Sequence, residues 1–441
     1  MATNLPEPGA APTPPARRLR RRSAMALLTL LLLAPPTRAT DANDALASLL
    51  AQARTQNPEL AAMRLDADAM RQRLPAAGAW PEPTLRVEQE DLSWRRGSPD
   101  PARLPWRAAE TRYTLLQPLP GWGQRALRRD AAQADARAAE SRSQGLWLEL
   151  ASRIKGAYLQ LVLAVGSEGL AREQAELLLR LEQLARARYA VGLAAQQDVL
   201  RAQLEQSALR AELIGLQAEQ RQARSRLDTL VGPEATTTAL AAAPSPPPLP
   251  PLPSPAPLDA AALTRRALAA SPVLAAEQAR LQGAEASRDL VRSQRYPALQ
   301  IGIAPTQMGS RVSAWGLMLE VGLPLQREAR AAQEREAEAL LAAQRARTEA
   351  VARQLQGELA EQLAALEAAQ RNDALLQHEL LPRAELSLQS ALVAYEAGKA
   401  DFATLLDAQR QIRKARQDRL KTQVEARLRL ADIERLVGEA P

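Results

Sequence analysis

Cysteine is absent from the 441 residues, which removes disulfides, thiolate metal sites, thiol catalysis and a lipid-modified N-terminal cysteine. Aromatic residues make up 3%, with a single Phe, too few for the cores of ordinary globular domains of this length. Histidine occurs once, at His378. It is expected on a helix surface, since one histidine without cysteine builds neither a zinc site nor a His-based triad. No Gly-rich phosphate loop is present, nor any carboxylate pair beyond what a charged helix supplies. The expectation is a protein without catalytic residues, cofactor or metal centre. After the N-terminus no apolar run approaches the roughly 20 residues of a membrane-spanning helix. A bilayer crossing by such a chain requires a closed β-barrel.

What is abundant is alanine, leucine, glutamine, arginine and glutamate, with 24% charge of mixed sign. That is the composition of long helices packed on small side chains. Residues 1–39 read as a secretory signal peptide. Arg17, Arg18, Arg20, Arg21 and Arg22 precede the apolar run Ala24–Ala34, and Thr37-Arg38-Ala39 offers a cleavage site. This segment holds six arginines and one glutamate, so its removal takes the net charge from +7 to +2. The basic balance belongs to the leader and does not point to nucleic acid.

The chain is written twice. Asn57-Pro58-Glu59-Leu60-Ala61 recurs as Ser271-Pro272-Val273-Leu274-Ala275, and Pro83-Thr84-Leu85 as Pro297-Ala298-Leu299, both at an offset of 214. Beyond these the offset is 206. It maps Pro118 onto Pro324, Tyr189 onto Tyr395, Gly192 onto Gly398, and Leu230-Val231-Gly232 onto Leu436-Val437-Gly438. The change of eight places a longer loop within residues 91–110 than its partner near 305–312. The expected organisation is a first repeat over 40–238, a Pro-rich extended linker over 239–257, and a second repeat over 258–441.

Each repeat has the same order of elements. A helix breaks at Pro58 or Pro272, a second helix follows, and two alternating stretches then predict a β-hairpin. The strands are expected at about 84–91 and 110–117, then 298–304 and 312–321. Long proline-free helix follows from Gly123 to Arg188, roughly 100 Å of rod. Its counterpart runs from Gln326 to Ala394 and is expected to kink at Pro382. Glycine-containing turns at about 189–198 and 395–407 reverse the chain into return helices.

This order resembles the outer membrane efflux protein family, the TolC-like channels. The residues carrying the resemblance are Asn57-Pro58-Glu59-Leu60, Pro81-Glu82-Pro83-Thr84-Leu85, Gln117-Pro118-Leu119, Tyr189-Ala-Val-Gly192 with Asp198, and Tyr395-Glu-Ala-Gly398 with Asp407. The fold it implies is mainly α with a small β portion: four strands per chain, closed as a homotrimer into a twelve-stranded outer-membrane barrel. A periplasmic α-helical barrel continues it. The implied partners are outer-membrane lipid, a periplasmic adaptor protein and an inner-membrane RND-type pump. The implied function is a passive exit duct. The Pro-Glu-Pro-Thr-Leu segment, with Gln117–Pro120 and Arg125-Ala-Leu, resembles the heavy-metal cation branch; a multidrug channel and a periplasmic coiled-coil adaptor are the alternatives.

The resemblance also nominates residues. The tip turns are Tyr189, Gly192, Gly398 and Lys399. Asp407 matches a pore-facing aspartate, against which stands an ordinary ion pair with Arg410 three residues on. Asp198 and Tyr395 match residues that hold the tip closed. The family's basic partner two positions after the second glycine is Ala400 here, with Lys399 one earlier. Glu88, Glu90 and Asp91 are candidates for a barrel's inner face, Tyr113 and Trp315 for its membrane-interface belt, and Trp94 and Trp106 for the longer loop.

Overall fold

The computed structural model describes residues 42–90, 110–242, 249–250, 252, 259–308 and 311–439. The leader, Asp91, Trp94, Trp106 and most of the Pro-rich segment lie outside them. In chain order the elements are α1 (Ala42–Gln56), α2 (Pro58–Ala77), β1 (Thr84–Glu90), β2 (Glu110–Leu119), α3 (Gln124–Ala190) and α4 (Gln196–Val231). There follow α5 (Pro233–Ala242), α6 (Ala260–Ala270), α7 (Pro272–Ser293), β3 (Ala298–Met308), β4 (Arg311–Gly322), α8 (Arg327–Leu375), α9 (Leu381–Glu396) and α10 (Phe402–Val437).

The Asn-Pro motif is a cap and a tie. Pro58 opens α2, where its missing N–H costs nothing, and the Asn57 side-chain oxygen accepts from Leu60 N–H at 3.0 Å. The Asn57 amide also donates to the Leu230 carbonyl at 3.0 Å, fixing the end of α4 against the start of α2. The linker differs from expectation at its start: residues 239–242 continue α5 as helix. Nothing breaks a helix there before Pro244. At Pro382 the backbone departs from a regular α-helix. Residues Leu376–Leu380 form a π-turn, and Leu381 N–H donates to the Leu376 carbonyl, one residue further back than in an α-helix. The extra residue absorbs the donor that Pro382 lacks, so α8 passes directly into α9.

The long helices lie side by side in a row. α4 packs on α3, α3 on α10, and α10 on α8 and α9; nearer the sheet the row is α2, α3, α7, α8. Small residues permit the close approach: a Cβ on Gly166 would meet Leu420 of α10 at 2.8 Å. The four strands form one antiparallel sheet in the order β1-β2-β3-β4, so β2 of the first half pairs with β3 of the second.

The α3–α4 pair carries two polar layers fourteen residues apart. Glu168 accepts from Gln217 and Gln220 and pairs with Arg172; Glu182 accepts from Gln203 at 2.9 Å and Gln206 at 2.7 Å and pairs with Arg186. Both carboxylates are buried. Fourteen residues is two heptads, so each layer repeats the other at one antiparallel register, and a slip would strand both charges. Hydrogen bonds, from Gln220 to Glu168 and from Gln203 to Glu182 foremost, hold both carboxyls below the ordinary glutamate range. Their stabilisation is therefore fully present above the unfolded glutamate value and lost as the pH falls through the lower folded values. Thermal melts in mild detergent, taken from about pH 6 to about pH 3, should show a steeper fall for the native protein than for Glu168→Gln/Glu182→Gln. Parallel curves would mean that the layers contribute nothing to this pH dependence.

Candidate functional site

Register sorts the strands into two unlike faces, because directly paired residues point the same way. Leu85 pairs with Leu115, Leu115 with Ile303, and Ile303 with Leu317; Val87 pairs with Tyr113, and Pro305 with Trp315. This face is mainly apolar, with Gln89, Thr111, Gln117 and Gln307 towards the strand ends, and Leu85, Ile303, Trp315 and Leu317 on it are exposed. The opposite face carries Arg86, Glu88, Glu90, Arg112 and Glu320 among small residues such as Gly302 and Ala304. Arg112 pairs there with Glu90 at 3.2 Å and Glu110 at 3.9 Å, and Arg86 with Glu88 at 3.7 Å. Glu88 and Glu90 thus lie opposite Leu85 and Val87, while Tyr113 and Trp315 share the apolar face. Among the described residues, strands β1 and β4 are unpaired on their outer edges.

At the far end of the rods, the two tip turns match bond for bond. Gly192 and Gly398 have φ of +75° and +72°, the left-handed region that glycine occupies without strain. Leu193 N–H donates to the Arg188 carbonyl and Lys399 N–H to the Ala394 carbonyl, each at 2.8 Å and each five residues back. Both are helix C-caps of the Schellman kind. Lys399 acts through its backbone, its side chain being exposed, and Tyr189 is half exposed.

The turns differ in their side chains. Asp401 caps α10 by accepting from Thr404 N–H at 2.9 Å; the Thr404 hydroxyl, and after it that N–H, holds its carboxyl low, whereas the equivalent Ala195 supplies no cap. Arg188, at the end of α3, reaches across to the second tip. Its guanidinium donates to the Glu396 carbonyl at 2.6 Å and lies 5.0 Å over the Tyr395 ring. A cation is favoured both at a helix C-terminus and over an aromatic face. Tyr395 is buried against Phe402, ring centres 5.4 Å apart, and its hydroxyl has no hydrogen-bond partner among the described residues.

Asp198 and Tyr395 share this neighbourhood without a hydrogen bond between them. Burial pushes the Asp198 carboxyl up and the Asp401 charge adds to it, against Arg201 and Arg188. Burial, with help from Asp198, also raises the Tyr395 hydroxyl. Asp407 is exposed and accepts from Gln411 at 2.7 Å. Arg410 does not pair with it but with Glu205 of α4, which overturns the ion-pair alternative; Asp407 has no ion pair among the described residues. His378 is exposed in the π-turn, and no metal-binding cluster occurs among the described residues. Sequence reasoning missed Arg188 and Asp401. The repeat carried the signal, since both break an otherwise matching turn: Arg188 aligns with Ala394, and Asp401 with Ala195.

The model of the outer membrane efflux protein family matches residues 49–233 and 263–439. Solved outer-membrane channels share the fold. OprN is 23% identical, with a TM-score of 0.76 over 90% of both chains. CusC is 17% identical, with a TM-score of 0.73 over 90% of this chain and 92% of the other. VceC of Vibrio cholerae is 19% identical, with a TM-score of 0.74 over 92% and 98%. A comparison with curated protein sequences finds no match.

Truncating Arg188 tests the link between the tips. Arg188→Ala removes a charge-assisted hydrogen bond and uncovers Tyr395, together about 1.5 kcal/mol. Amide exchange over residues 394–402 should accelerate roughly tenfold, with α7 unchanged. Unaltered exchange at the tip would show that the contact carries no load.

Proposed function

The chain belongs to the outer membrane efflux protein family, and from that premise we propose that three copies join their sheets into one twelve-stranded barrel. The observation that supports this is the sheet itself. Its exposed apolar face suits lipid and its charged face suits a water-filled lumen. Its two free edges cannot remain unpaired in hydrocarbon, where each open backbone group costs several kcal/mol. Pairing β4 of one copy with β1 of the next closes every edge. The row of helices continues the barrel into the periplasm, giving an outer-membrane exit duct. The energy for transport comes from elsewhere, through a periplasmic adaptor and an inner-membrane RND-type pump.

The tips are the proposed gate. Gly192 and Gly398 set the turns, Lys399 closes the second one, and Tyr189 stands at the exposed end of the first. Arg188 takes the role that a basic residue after the second glycine plays in the family, gathering Tyr395, Asp198 and the end of α9. Asp407 is the proposed pore carboxylate. Three copies close together around an axis repel one another and attract cations. In planar bilayers, Asp407→Ala should weaken cation selectivity and block by multivalent cations severalfold, with assembly unchanged. Native-like selectivity and block in that variant would place Asp407 on an outer face.

For cargo we propose heavy-metal cations, on the resemblance of Pro81–Leu85 and Gln117–Pro120 to that branch. Deleting the gene should lower tolerance to one or more metal ions. Unchanged metal tolerance with new sensitivity to dyes and detergents would assign the duct to organic compounds instead.

A further inference from the structure

A groove lies between α1 and α10 over α3, away from the residues assigned to the sheet and the tips. Pro250 stands at its rim, and it encloses about 710 Å³, a usual size for a small-molecule site. Because α3 and α10 pack on each other within one chain, the groove is complete in a single copy. Leu46 and Leu50 of α1, Leu159 of α3 and Leu430 of α10 make its walls apolar, and Trp147 of α3 stands among them.

Three cations and one anion share this apolar recess: Arg54, Lys155, Arg427 and Glu434. Lys155 and Glu434 satisfy each other at 2.5 Å. The other two are left over. Arg54 lies 5.5 Å over the Trp147 ring and has no ion pair among the described residues. Arg427 is half-buried and also lacks an ion pair there. Its guanidinium donates to two neutral acceptors, the Pro250 carbonyl and the Gln423 carbonyl, and burial pushes its pKa down. Trp147 adds a second open demand. It is only 9% exposed, and its indole N–H has no acceptor among the described residues. A desolvated charge without a counter-ion and a buried donor without an acceptor are both costly. One anionic oxygen pair would answer both.

The duplication marks these residues as departures. The 206-residue offset maps Trp147 onto Arg353 and Arg427 onto Arg221. Both counterparts are exposed, and Arg353 pairs with Glu349. What is an ordinary charged helix surface in one repeat is a cation-lined apolar recess in the other.

We propose that this groove binds an organic carboxylate with an apolar tail, of the class of a free fatty acid. The carboxylate accepts from Arg427 and from the Trp147 indole, with the Arg54 charge beside it, and the tail lies along the leucines. Those same leucines leave no place for the further oxygens of a phosphate ester. The ligand touches α1 of the first repeat and α10 of the second, so its binding ties the two repeats together over α3.

The test uses the full chain in zwitterionic lipid nanodiscs, with empty discs subtracted. Octanoate should bind saturably in saturation-transfer NMR. Octanol and octylammonium, equal in chain length, should bind at least roughly tenfold more weakly. Arg427→Met and Trp147→Phe should each weaken octanoate severalfold, Arg427→Lys should keep part of the affinity, and Arg221→Met should change nothing. Octanol binding as tightly as octanoate would reveal an apolar recess with no anion site. Equal octanoate affinity in the native chain and in both groove variants would place the binding in the lipid. Either result, or the lack of any saturable binding, overturns the assignment. The headgroup comparison needs only the native chain, so it decides the matter even where a variant fails to fold.

Discussion

A helix in a row one layer deep has to bury two opposite flanks and leave two opposite faces in water. That requirement shapes the chain more than any single contact. A helix on a globular core concentrates its large apolar residues on one side. The helices here spread modest ones on two, as Ala202, Leu209, Leu216 and Ala223 do on one flank of α4 and Leu200, Leu204 and Ile214 on the other. Alanine becomes the commonest contact, and arginine and glutamate fill the remaining faces. The scarcity of aromatic residues follows, because no thick core exists for them to fill.

The same constraint decides what the sequence could reveal. Order and spacing were legible, since proline and glycine fall at or near the joins between elements: Pro58, Pro83, Gly192 and their partners in the second half, with Pro118 one residue inside the end of β2, where it still pairs with Gln300. Strand alternation separated Leu85 and Val87 from Glu88 and Glu90, and paired strands then brought Tyr113 and Trp315 onto one face. Long-range polar contacts were not legible. Arg188 reaches Glu396 across 208 residues of chain, and nothing local distinguishes it from the other arginines of a charged helix. Glu168 and Glu182 likewise look like solvated residues until α4 is laid beside α3. The π-turn before Pro382 escaped because a proline predicts the missing donor but not how the backbone accommodates it.

The proposed barrel would account for the unlike faces of the sheet in terms of solvent rather than packing. Lipid on one side and water on the other would ask for opposite compositions on the two faces of one sheet, and period-two alternation supplies both from a single strand. The helices meet no such boundary. Polar faces alternate with apolar flanks around each of them, and no helix of the described residues is long and apolar enough to cross a membrane.

The polar layers of α3 and α4 have no counterpart in the second half. Glu168 and Glu182 align with Ala374 and Leu388, and Gln409, aligned with Gln203, is buried with an amide nitrogen that has no partner among the described residues. Sliding α4 along α3 would leave two carboxylates in an apolar seam, so the first pair is held at one register. The second pair is tied differently, by Arg419 to Asp373 at 3.4 Å and Asn372 to Thr422 at 3.3 Å, the first of these between side chains that stay partly in water. The duplicated halves, near-identical in plan, keep their registers with unlike locks: one sealed inside the seam, the other set at its rim.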